Sequence, residues 1–261
     1  MSTTLTPRRT RPTRVFATVA VVAVTGVGAV WFTQAVRPST TTNETFALDP
    51  GSPKLAVDID QGQVLLTTGS GDRLQVHRTV RDAGRAPRVE ERADAQGASL
   101  KSRCPAWSGR ACSIRYEIAV PTGYVIDVAA GTGRVEVHSL TVAKLRIKGS
   151  SGSTHLEDAK GSVEIDSLSG SITGTRLGLS AFVARVGSGR TNVDFTVPPD
   201  RVTATTGSGA VTIRVPAGGG PYRVAAHSRS GEEDVQVPTD PASPHHIDVT
   251  SSSGDLAVLP Q

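Results

Sequence analysis

Residues 201–215 read RVTATTGSGAVTIRV. Val202 and Ala204 alternate with polar neighbours, Ser208-Gly209 interrupts the run, and Val211, Ile213 and Val215 resume the alternation. Apolar residues with period two on both sides of a tight Gly turn mark two half-buried strands joined at a sharp corner. The unit recurs. Ser or Thr precedes Gly at Gly71, Gly133, Gly152, Gly170, Gly189, Gly209, Gly231 and Gly254. From Gly133 onward the separations are 19, 18, 19, 20, 22 and 23 residues, and the first gap, 62 residues, is about three such periods.

The flanks test this register. Seven residues before each Gly stand Val64, Ile126, Leu145, Val163, Phe182, Val202, Val224 and Ile247. Five before stand Leu66, Val128, Ile147, Ile165, Ala184, Ala204, Ala226 and Val249. All sixteen are apolar, where the composition alone gives about six. Four residues after the Gly the column holds for most copies, but the first copy breaks it with Gln75, and Gly174 occupies it in another. A repeat near 20 residues is too short for helix pairs and suits a β-solenoid coil. The expected fold is therefore all-β: about eight Ser/Thr-Gly-cornered coils, with Gly supplying positive φ at the corners.

TGSGDRLQV (68–76), AGTGRVEV (130–137), VGSGRTNVDF (186–195), TTGSGAVTIRV (205–215) and SSSGDLAVL (251–259) resemble the putative-adhesin, or toastrack, family. The approach CSIRYEIAVPTGYVIDVAAGTGRVEV (112–137) resembles the middle of that family's pattern. The resemblance covers roughly residues 50–261. It implies a stack of β coils, often on a membrane anchor, and carries no catalytic residues to transfer.

Residues 15–36, VFATVAVVAVTGVGAVWFTQAV, hold no charge and are flanked by Arg14 and Arg37. A helix of this length crosses a hydrocarbon core of about 30 Å. Arg8, Arg9, Arg11 and Arg14 lie before it with no acid among them, which sets a cytoplasmic N-terminus. The expected organisation is a basic head (1–14), a transmembrane helix (15–36), a polar tether (37–45) and an extracytoplasmic solenoid (46–261). The rival reading is a cleaved signal peptide, for which Thr33-Gln34-Ala35 is a poor cleavage site. Without the four head arginines, basic and acidic residues balance at 24 each. Nucleic acid is therefore not an expected partner, since its recognition needs basic charge on the folded part.

Cys104 and Cys112 read as a disulfide in this compartment, expected to staple a β-hairpin across the loop between them. For chemistry, residues three and five after each Gly should face outward. This puts Glu136, His138, His155 and Glu157 on adjacent coils about 4.8 Å apart. Such a set could hold a divalent metal or pair carboxylates for acid–base work, but it equally describes a solvated sheet face with charges in favourable rows. The solvated face is the preferred reading. No metal, catalytic residue or cofactor is expected.

The function expected from the sequence is a noncatalytic, membrane-anchored binding module, adhesin-like or envelope-sensing, with a cell-wall glycan or envelope protein as partner. A surface polysaccharide hydrolase and a structural spacer are the alternatives. The last coil, HHIDVTSSSGDLAVL (245–259), has no later coil to cover it. The expectation is a cover from a neighbouring chain, making a homo-oligomer through the solenoid ends, or from residues 216–222, PAGGGPY.

Overall fold

The computed structural model describes residues 40–82, 86–105 and 112–261. Residues 1–14, read as a basic head, residues 15–36, read as a transmembrane helix, and the first residues of the expected tether lie outside the described residues, as does Trp107. Among the described residues every regular element is a strand.

The repeating unit is a strand, a corner and a second strand. In chain order the coils are β2–β3 (Lys54–Ile59, Gly62–Thr68), β6–β7 (Gly97–Arg103, Ser113–Val120) and β8–β9 (Val125–Ala130, Arg134–His138). The long strands β10 (Lys144–Glu157) and β11 (Lys160–Ser188) run through their own corners, and the end of β11 leads into β12 (Thr191–Phe195). Then follow β13–β14 (Arg201–Ser208, Val211–Val215), β15–β16 (Arg223–Ser228, Glu233–Val235) and β17–β18 (His246–Ser253, Leu256–Pro260). Strands before the corners pair in parallel to form a first sheet, and strands after the corners form a second. The register is that of the apolar columns: Leu145 lies beside Ile126 and Val163, and Val202 beside Phe182 and Ile247. These side chains turn inward into one buried cluster. Phe182 of the first sheet meets Phe195 of the second edge-on, with ring centroids 6.1 Å apart. At Gly174 the missing side chain leaves room for Leu177, and the register with β12 shifts there.

The corners explain the glycines. Gly189 has φ +142°, and a Cβ on it would lie 1.8 Å from the carbonyl oxygen of Gly170 on the neighbouring coil. The same contact links Gly152 to Gly133, Gly170 to Gly152 and Gly209 to Gly189, at 1.8–2.0 Å. The corners therefore stack backbone on backbone, which no side chain allows. A second column lies two residues earlier, where a Cβ on Gly187 or Gly207 would meet a carbonyl oxygen at 2.4 and 2.6 Å.

Five features differ from the sequence expectation. Gly71 is not a corner of the stack: no atom lies within 4 Å of its would-be Cβ. The first corner is Gly62, with φ +130°, and Gly133 packs on its carbonyl. Val64 and Leu66 accordingly lie beside Val135 and Val137 in the second sheet, not beside Ile126 and Val128. Gln precedes Gly62, so a search for Ser/Thr-Gly passes over it. Second, the disulfide does not staple a hairpin. Its halves β6 and β7 belong to different sheets, pairing with β2 and β3 respectively. The bridge, present with its Cα atoms 5.9 Å apart, joins the end of β6 to the start of β7.

Third, the segment read as a tether is folded from Thr40. Strand β1 (Thr40–Leu48) pairs antiparallel with β4 (Leu74–Asp82) along its whole length. Strand β4 in turn lies antiparallel to β7, and β5 (Arg88–Asp94) lies antiparallel to β6. Parallel stacking thus ends at the disulfide coil. Fourth, the last coil is internal. Strand β17 lies between β13 and β15, and β18 between β14 and β16. The chain covers its C-terminal coil with the preceding one, 223–235, rather than with residues 216–222. Fifth, the same inversion occurs at the other end, where β2–β3 is inserted between β6–β7 and β8–β9.

An arginine closes the core at the disulfide end. Arg78 on β4 points inward, with only 10% of its side chain exposed, and reaches Glu91 on β5 at 2.7 Å and Glu44 on β1 at 2.5 Å. The buried Tyr116 hydroxyl donates to Glu91 at 3.3 Å. Burial pushes the Tyr116 phenol up, and the Glu91 charge adds to that. The Arg78–Glu91 pair links the two sheets where no further parallel coil covers the apolar core.

Candidate functional site

Alternation that buries one set of side chains turns the other set outward, and register aligns that set coil by coil. On the first sheet the outward positions form an ion-pair ladder. Arg103 reaches Asp58 at 2.5 Å and Asp60 at 3.3 Å. Arg146 lies between Asp127 at 3.4 Å and Glu164 at 3.7 Å, and Lys144 reaches Glu164 at 2.9 Å. Arg185 then spans Glu164 and Asp166 at 2.9 and 3.0 Å. Lys144 and Arg185 together hold the Glu164 carboxyl down to about 2. Asp127, Arg146 and Glu164 stand six places before their corner glycines, and Asp58, Asp166 and Arg185 four places before theirs, in the same period as the apolar columns. Sequence reasoning that looked only after the corners missed them.

On the second sheet the four candidate residues do come together. Glu136 is in register with His155, and His138 with Glu157. His138 Nδ1 donates to Glu157 at 2.8 Å, and the His138 and His155 rings lie 6.1 Å apart. Glu157 is also bound by Arg176 at 2.6 Å, and Arg176 bridges to Asp158 at 2.8 Å. The Arg176 hydrogen bond, with a further one from His138, holds Glu157 below the usual carboxylate range. Glu136 faces Arg134 at 3.5 Å. No group of three or more His, Cys, Asp or Glu side chains converges to hold a metal among the described residues. The carboxylates here face cations instead, an arrangement that keeps them ionised and engaged. Further along the same face, Arg214 reaches Asn192 at 3.0 Å and Asp194 at 3.3 Å.

No curated protein matches the chain. Among solved structures, a putative cell adhesion protein of Clostridium sporogenes is similar at 11% identity and a TM-score of 0.44, covering 85% of this chain and 100% of its own. A putative adhesin of Bacteroides fragilis is similar at 12% identity and a TM-score of 0.40, covering 85% and 97%. A putative lipid binding protein of Parabacteroides distasonis follows at 11% identity and a TM-score of 0.32, covering 84% and 96%. Likeness at this level says nothing of activity. The family model described as Toastrack DUF4097 matches residues 119–259, which take in the corners from Gly133 to Gly254. The chain belongs to the Toastrack DUF4097 family.

Proposed function

We propose that this protein is a noncatalytic, membrane-anchored binding module of the cell envelope, adhesin-like or envelope-sensing, with its β coils outside the membrane. The observation that carries the reading is the pair of outward faces. Each repeats polar and charged side chains at one strand spacing, about 4.8 Å, over many coils. Such a face suits extended ligands, a cell-wall glycan or an elongated envelope protein, held by many weak contacts in series. The carboxylates that an acid–base mechanism would use are tied to arginine or histidine. The apolar run 15–36, with its arginine-rich flank, supports anchoring and orientation.

Capture of purified cell-wall polymers and of envelope proteins by the full chain tests the reading. Saturable binding to either class supports it. Absence of saturable binding to both contradicts it, and turnover of a polysaccharide lost in the Glu136→Ala/Glu157→Ala variant replaces it with a hydrolase.

A further inference from the structure

The outward arginines of the ladders, Arg103, Arg146, Arg176, Arg185 and Arg214, each reach a carboxylate on their own or a neighbouring coil. One corner of the second sheet gathers three arginines around a groove. Arg81, Arg115 and Arg134, with Thr79, Gln63 and Ser153, line an open groove of about 540 Å³. Register sets three of its side chains in a row with Thr79: Arg115 is opposite Thr79 on one side and Gln63 on the other, and Gln63 is opposite Arg134. One carboxylate, Glu117, lines the groove beside the three arginines. Glu117 engages Arg115 at 3.2 Å, and Glu136 reaches Arg134 only at 3.5 Å. Arg81 is exposed and forms no ion pair with the described residues.

The groove also has a place in the chain. Arg81 is in register with Thr41, four residues after Arg37, a reach of at most about 14 Å. Thr40, Asp82 and Ser113 all lie at one edge of the sheet.

We infer that this groove binds the phosphate of anionic phospholipid headgroups. The inference rests on the reading of residues 15–36 as an anchor. Guanidinium groups bind phosphate oxygens through paired N–H donors, and the hydroxyl of Ser153 supplies a further donor, while that of Thr79 donates to Asn43. A basic side chain at an anionic lipid surface strengthens association about fivefold.

The test titrates the full chain, held in neutral detergent, with four probes: short-chain phosphatidylglycerol, short-chain phosphatidylcholine, inorganic phosphate and a soluble phosphorylated polysaccharide. Saturable binding is expected for phosphatidylglycerol alone. Arg81→Gln, Arg115→Gln and Arg134→Gln should each weaken it about fivefold, and the triple variant about a hundredfold, with melting unchanged because all three side chains are exposed. Absence of saturable phosphatidylglycerol binding, or binding that the triple variant retains, overturns the inference. Equal binding of inorganic phosphate or the polysaccharide reassigns the groove to a soluble anion and overturns the membrane assignment. Anchoring is read separately, by washing the full chain on phosphatidylcholine vesicles with concentrated salt. Release there contradicts the anchor, while the titration still decides the groove.

Discussion

Between Gly133 and Gly209 every coil lies on the one that precedes it in sequence, glycine over glycine, with parallel register kept from strand to strand except for the shift between Gly174 and Leu177. At both ends that order fails. The 246–260 coil slips under the 223–235 coil, and the 54–68 coil slips under the disulfide coil. The middle is held by a repeated local rule. The disulfide end is held by single features: a buried Arg78, a disulfide and antiparallel strands β1, β4 and β5. The contrast teaches where a solenoid is vulnerable. A repeat is satisfied by its neighbours, but a terminal coil exposes apolar residues and unpaired backbone and needs a cover of its own.

The largest expected effect falls in the middle. Gly189→Ala should destabilise the fold by about 3 kcal/mol or more, from the unfavourable φ and the collision with the Gly170 carbonyl. Gly71→Ala, at a glycine outside the stack, should change stability by less than about 0.5 kcal/mol. Chemical denaturation of both variants measures the difference, and comparable losses would contradict the corner assignment.

At the disulfide end, Arg78→Ala should cost about 3–5 kcal/mol by stranding a half-buried Glu91 beside Tyr116. The paired variant Arg78→Met/Glu91→Leu should recover most of that loss, because it removes both charges together. A double variant as unstable as the single one would show that the plug is not the source. Reducing Cys104–Cys112 should cost less, about 2–3 kcal/mol, because the closed loop is short. Melting with and without reductant reads it.

The smallest effect belongs to the ladder. Glu164→Gln should cost about 1 kcal/mol or less at neutral pH, since the ladder faces solvent. Glu164 has a folded-state value near 2 against an ordinary 4.5, so its contribution is complete above pH 4.5 and is lost as pH falls through 2. Stability curves of parent and variant should therefore converge at the acid end; a gap that widens on acidification would contradict the pairing.

The middle of this molecule was legible in its sequence because the same constraint repeats there. One glycine with apolar residues five and seven places before it specifies a corner and two buried positions. The rule even fits Gly62, whose Leu55 and Val57 stand in those places and lie beside Ile126 and Val128. Only the expected Ser or Thr hid it, although Gln75 in the apolar column already showed that Gly71 did not belong. The ends were not legible because strand order in space carries no local signature. Residues 223–235 and 246–260 obey one pattern equally well, and nothing in either says which lies next to Val202. Arg78 sits at an apolar position of an ordinary alternating strand, and its partners come from residues 13 and 34 places away. Of the candidate site, adjacency of Glu136, His138, His155 and Glu157 could be read from register. Arg176, which occupies Glu157, lies just beyond the columns that were compared.

The inverted C-terminal end gives the most direct test of how the coils stack. Asp248 is in register with Thr203 on one side and Ala225 on the other. All three side chains face away from the core. The Thr203→Cys/Asp248→Cys pair, one strand spacing apart, should form a disulfide under mild oxidation. The Thr203→Cys/Ala225→Cys pair, two spacings or about 10 Å apart, should not. Mapping the cross-linked peptides by mass spectrometry decides it. Bridging of Thr203 to position 248 alone is the predicted result; bridging of 203 to 225 would restore the sequential order of coils and contradict the fold described.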